Sequence, residues 1–131
     1  MDPKEFIDKL KRDKARGIIA PHQIVLLIAL LNIYEQKGSS IFNIEEINFE
    51  FQKVWKEHST KFNSNNNLVG MPLKALYNQG YITIEILNNI RDFRKLSNLI
   101  DNINVITLEN DLLELFTFEN IRSSLIYRLS H

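Results

Sequence analysis

The side chains with the widest chemical reach here are three imidazoles, at His22, His58 and His131, and the chain has no cysteine to add a thiolate. A zinc helix needs two histidines about one turn apart, and the common zinc modules also need thiolates, so this spacing does not point to a metal centre. An HNH nuclease activates water with two or three histidines in a compact strand-helix unit, and neither His58 nor His131 has such neighbours. The four glycines stand singly at 17, 38, 70 and 80, so no glycine-rich loop is available to cradle a phosphate. Nothing resembles a nucleophile elbow. The inventory is that of a binding domain with no catalytic residues, metal or cofactor of its own.

Groups suited to binding are present. His22 and Gln23 open an apolar helix, where free backbone amides favour an anion, although a histidine there also serves as a cap or a packing residue. The run Asn63-Ser64-Asn65-Asn66-Asn67 reads as a polar loop, the most flexible part of the chain, and Asn65, Asn66 and Asn67 are candidates to touch base edges. Tyr77 and Tyr81 could stack on bases, but their places at a helix end and a strand start equally suit scaffold. Sixteen basic and sixteen acidic residues cancel, so no global field announces a polyanionic partner. Their distribution is uneven: Met1 to Arg16 holds six basic and four acidic residues, while Asp101 to Ile121 holds five acidic and no basic ones. The first end could face phosphate; the second could not.

The elements that must position these groups follow from periodicity and punctuation. At 131 residues and 44% hydrophobic, the chain suits one domain, 1–131, with a core that needs no disulfides. Asp2-Pro3 starts a helix over about 3–15, and Pro21 starts another that is apolar nearly all round and ends at Gly38, which makes it the buried centre. Its longest apolar run, Ile24 to Leu31, has eight residues, against about 20 needed to cross a bilayer. With no secretory signal at the start, the expected location is cytoplasmic. A short strand or extended link over Ser39 to Ile44 leads to a helix from Ile44 to His58 that turns Ile47, Phe51, Val54 and Trp55 inward. Pro72 opens a helix stopped by Gly80, and residues 81–86 alternate as a strand. Residues 90–101 fit a further helix, Ile103 to Leu108 a second strand pairing with the first, and Glu109 to Phe116 and Phe118 to Leu129 two short closing helices. The fold class is mainly α with a small β element: a compact helical domain with a winged-helix-like helix-strand unit.

Four segments in this order are similar to the domain that precedes the HNH module in many modification-dependent restriction endonucleases, including readers of phosphorothioate DNA. They are Ala20-Pro21-His22-Gln23 with its leucine-rich continuation; Phe51 with Trp55; Met71-Pro72-Leu73-Lys74-Ala75-Leu76-Tyr77-Asn78-Gln79-Gly80-Tyr81; and Leu108 to Phe116 followed by Ile121-Arg122-Ser123-Ser124-Leu125-Ile126. Together they cover most of residues 18–129. The resemblance implies a non-catalytic reader of phosphorothioate-modified double-stranded DNA in a restriction or phage-defence system, with cleavage left to a partner nuclease chain or to sequence outside these 131 residues. It implies an apolar cup of Met71, Pro72 and Ala75, with His22 and Gln23 beside it and Lys74 on a flanking phosphate. The chain departs from the pattern at Met71, where the sulfur binders carry an aromatic residue, and at Gln23, where they carry a cation. A thioether is still soft and apolar; an amide releases no counterion. The alternative is a protein-interaction or winged-helix-like regulatory domain without sulfur recognition, which the zero net charge favours.

Overall fold

A computed structural model describes residues 2–12, 21–62 and 65–129. The first helix, α1 (Pro3–Arg12), begins as its sequence predicts, with the Asp2 carboxylate accepting from the Lys4 amide at 3.0 Å. The expected extension to residue 15 and Gly17 lies outside the described residues.

Helix α2 (Pro21–Lys37) is the axis of the fold. Ten of its 17 residues are buried, on every side of the helix, which is possible only because other helices surround it. Helix α3 (Ile44–His58), α4 (Gly70–Asn78) and α7 (Ile121–Arg128) all pack on α2. Gly38 ends α2 at φ 66°, a left-handed conformation that a side chain would strain, and its amide donates to the Tyr34 carbonyl at 2.8 Å. Helix α3 starts on a capping box: the Glu46 amide donates to Asn43 Oδ1 at 2.8 Å, and the Asn43 amide to Glu46 Oε1 at 3.0 Å. Ile47, Phe51, Val54 and Trp55 face the core, as expected.

The β element is a three-stranded antiparallel sheet of β1 (Ile41–Phe42), β2 (Ile82–Ile86) and β3 (Ile103–Leu108), in the order β1-β3-β2. The expected pairing of the last two strands is present, with Ile82 opposite Leu108 and Ile84 opposite Ile106, and a register shift follows at Glu85/Ile86. The middle of the chain runs helix, strand, two helices, strand, a short helix and a last strand that is central in the sheet, and α4 followed by β2 forms the expected helix-strand unit. Helix α5 (Leu96–Asn102) precedes β3, and α6 (Asn110–Phe116) leads to α7, matching the two expected closing helices.

Two boundaries differ from expectation. Helix α4 starts at Gly70, two residues before Pro72, and at that first residue the chain passes so near the Phe93 carbonyl that only glycine fits. The helix expected over residues 90–101 is confined to α5. Asp92 explains this: its carboxylate accepts from the Arg94 amide at 3.0 Å and again from Arg94 Nε at 3.0 Å, a local turn that competes with helical hydrogen bonding. The connection between β2 and β3 is therefore an open loop followed by α5, closed at its base by the Leu87 amide on the Asn102 carbonyl at 2.7 Å.

Candidate nucleic-acid interface

The buried stripe of α2 fixes the direction of its first turn, which carries His22 and Gln23 toward α4 and the asparagine loop. His22 Nε2 lies 2.5 Å from the Asn66 carbonyl oxygen; a carbonyl only accepts, so Nε2 carries the proton and donates. The imidazole also packs on Trp55, with centroids 5.0 Å apart. Trp55 in turn meets Phe62 edge-on at 4.6 Å and Phe51 at 5.9 Å. The histidine is therefore held from both sides, by a ring cluster rooted in the core and by the loop backbone.

Gln23 reaches across to α4, where its Nε2 donates to Gln79 Oε1 at 2.7 Å. Gln79 caps the C-terminus of α4 one turn after Ala75 and two after Met71, so this bond ties that end of the helix to the first turn of α2. Met71 is 49% exposed. Ala75 is partly buried and Pro72 buried. Of the three expected cup residues, Met71 and Ala75 offer surface to a ligand, while Pro72 packs beneath them. Lys74 points elsewhere: its Nζ stands 5.4 Å from the ring centroid of Phe93, a cation–π contact that leans the lysine toward the β2–β3 connection.

The asparagine loop is more tightly tied than its composition predicts. Gln52 Nε2 donates to the Asn67 carbonyl and Asn67 Nδ2 to Gln52 Oε1, both at 2.8 Å. Asn66 Oδ1 accepts from the Leu68 amide at 3.2 Å. Asn65, Asn66 and Asn67 are all exposed; residues 63 and 64 lie outside the described residues. Of the two tyrosines, Tyr77 is exposed on α4, whereas Tyr81 is buried edge-on against Phe6 at 5.1 Å and belongs to the scaffold.

Sequence reasoning passed over three features of this surface. Gln79, the partner of Gln23, carried no local signal. Phe93 reads as a core position of a helix but serves as a platform for Lys74. The loop around it holds Arg91, Arg94 and Lys95 against the single acid Asp92, a local excess visible in the charge pattern. Arg94 hydrogen-bonds the Asp92 side chain and holds its carboxyl below the ordinary carboxylate range. From residue 51 to 100 there are seven basic residues and three acidic ones, a balance of four positive charges. Residues 101–120, with α6, carry five acidic and no basic residues. Zero net charge thus hides a polar molecule.

Among the described residues, no three His, Asp or Glu side chains are grouped to hold a metal ion, and no helix is long and apolar enough to cross a membrane. Compared with protein-family models and with curated proteins, the chain matches none.

Proposed function

We propose that this domain reads duplex DNA with α4, the first turn of α2 and the basic β2–β3 loop, and that it favours a phosphorothioate linkage in the DNA backbone. The observation that supports the reading is the Gln23–Gln79 hydrogen bond, which ties the first turn of α2, with His22, to the end of α4, the helix that carries Met71 and Ala75 on its surface. Cations positioned around a phosphate supply affinity through counterion release, which is blind to sequence. Selectivity comes from the soft part of the surface. A non-bridging sulfur is larger and a weaker hydrogen-bond acceptor than oxygen, so contact with a thioether and a methyl group costs it less dehydration. An ordinary phosphate oxygen in the same place is left without a partner. In this reading the domain is a cytoplasmic recognition module of a restriction or defence system, does no chemistry itself, and directs a partner nuclease chain.

The test is fluorescence anisotropy with duplexes that differ by one phosphorothioate, for each sulfur diastereomer, at two salt concentrations. Tighter binding of one modified duplex is expected, by about tenfold, with both affinities falling as salt rises. Met71→Glu should erase that difference without lowering the melting temperature, since the side chain is half-exposed. Equal and negligible binding to modified and unmodified duplexes overturns the reading.

A further inference from the structure

On the side of α3 turned away from α2, an open groove of about 540 Å³ is lined by Glu45, Phe49, Lys53 and Lys56 of α3 and by Leu96 and Ile100 of α5. Phe49 is 74% exposed and Ile100 40%. An aromatic ring so open on a helix whose other large apolar side chains are buried, beside the exposed Ile100, is a larger apolar exposure than a lone surface side chain. None of these residues belongs to the DNA-reading surface proposed above, so the inference stands apart from that reading.

Charge identifies the occupant. Glu45, Phe49 and Lys53 are spaced by four residues and share one helical face, with a negative charge on one side of the ring and a positive charge on the other. A two-fold axis at Phe49 sets two such helices antiparallel, so that residue 45 of one faces residue 53 of the other. It then brings Phe49 against Phe49, Glu45 of each copy against Lys53 of the other, and Leu96 and Ile100 to either side. A surface that repeats itself with charge inverted about a point is the requirement for an isologous interface. We infer that the chain forms a symmetric dimer through the Phe49 face of α3, with a second copy of itself as the occupant of the groove. The apolar patch is small beside that of permanent dimers, so the association is of the weak, transient class.

Sedimentation velocity at low ionic strength, from micromolar to millimolar protein, tests this. The wild-type chain should pass from monomer to dimer. Glu45→Lys and Lys53→Glu should each raise the dissociation constant by about tenfold or more, because the symmetry turns two attractive pairs into two repulsive ones. Glu45→Lys/Lys53→Glu in one chain should restore the dimer, and an equimolar mixture of the two single variants should form a mixed dimer. Phe49→Glu should be monomeric, with circular dichroism confirming its fold. A wild-type chain that stays monomeric throughout, as it would if the groove served an unrelated peptide, overturns the inference. So does a dimer indifferent to the single charge reversals, or failure of the variants to pair when mixed.

Discussion

Gly70→Ala is the sharpest test of how α4 is seated. A Cβ on Gly70 would lie 1.5 Å from the Phe93 carbonyl oxygen, 2.6 Å from its carbonyl carbon and 3.3 Å from Leu99 Cδ1. Real Cβ contacts essentially never fall below 3.0 Å, so the backbone at Phe93 has to retreat by about 1.5 Å. The obstacle is a main-chain carbonyl in a turn that Asp92 and Arg94 hold closed, with Leu99 of α5 behind it, and no side-chain rotation relieves it. Overpacking typically costs ~1–3 kcal/mol, and a rigid obstacle puts this case near ~3 kcal/mol. Against it stands the better helix propensity of alanine, at most ~1 kcal/mol and less at the first helical residue. The net loss of ~2–3 kcal/mol should lower the melting temperature by roughly 10 °C. Urea and thermal unfolding measure it. Gly38→Ala and Gly80→Ala are the controls, because there a Cβ meets nothing within 4 Å and only positive φ is strained; each should cost ~1 kcal/mol. A Gly70→Ala protein as stable as wild type would refute the close approach of α4 to Phe93. If the variant folds with the loop displaced, Lys74 loses its ring contact, and salt-dependent DNA affinity should fall with it.

Asn43→Ala removes the side-chain half of the capping box on α3 and should cost ~1 kcal/mol in urea unfolding. Asn32→Ala should cost more, ~1–3 kcal/mol, because Asn32 Nδ2 donates to the buried Glu50 carboxyl at 3.3 Å and Asn32 Oδ1 accepts from Arg122 Nε at 3.2 Å; equal stability of the variant in a urea melt would discount this link between α2, α3 and α7. His58 is held below its ordinary pKa, first by burial and then by the neighbouring Lys61 ammonium, whose Nζ lies 3.0 Å from Nδ1. The unfolded chain therefore binds the proton more readily, and the stability due to neutral His58 is complete above pH about 6.5 and lost as the pH falls through the lowered value. His58→Gln should flatten that part of the stability profile, as melting temperatures between neutral and mildly acidic pH will reveal. Lys74→Ala should weaken modified and unmodified duplexes alike and reduce the salt slope by about one, and a selective loss on the modified duplex would contradict the placing of Lys74 outside the cup.

Most elements were legible in the sequence because their limits rest on local chemistry. Pro21 and Gly38 bound α2, the run from Ile44 to His58 matches α3 to the residue, and β-branched alternation marks β2. What could not be read depends on residues far apart in the chain. The need for glycine at the first residue of α4 comes from a carbonyl 23 positions away, at Phe93, and the helix expected from residue 90 yields to a turn in which one aspartate prevails over apolar spacing. The surface residues show the same division. The bond that joins the first turn of α2 to the end of α4, from Gln23 to Gln79, spans 56 residues and has no local signal. Burial of Pro72 likewise depends on how α4 lies on α2, which helical spacing within α4 alone does not reveal.

The order of the strands in the sheet also has a consequence in time. Strand β3 is central and pairs with both others, yet it is the last of the three to leave the ribosome, 61 residues after the end of β1 at Phe42. Until residue 108 is free, β1 and β2 have no partner, whereas α2 and α3 are already able to coalesce. The helical half should therefore collapse early, with the sheet acting as a late clasp whose closure has to draw distant segments together, the kind of contact that slows folding. Because β3 and the loop before it close together, the basic loop takes up its place beside α4 only when that clasp shuts. The proposed reading surface is thus among the last parts of the molecule to be completed.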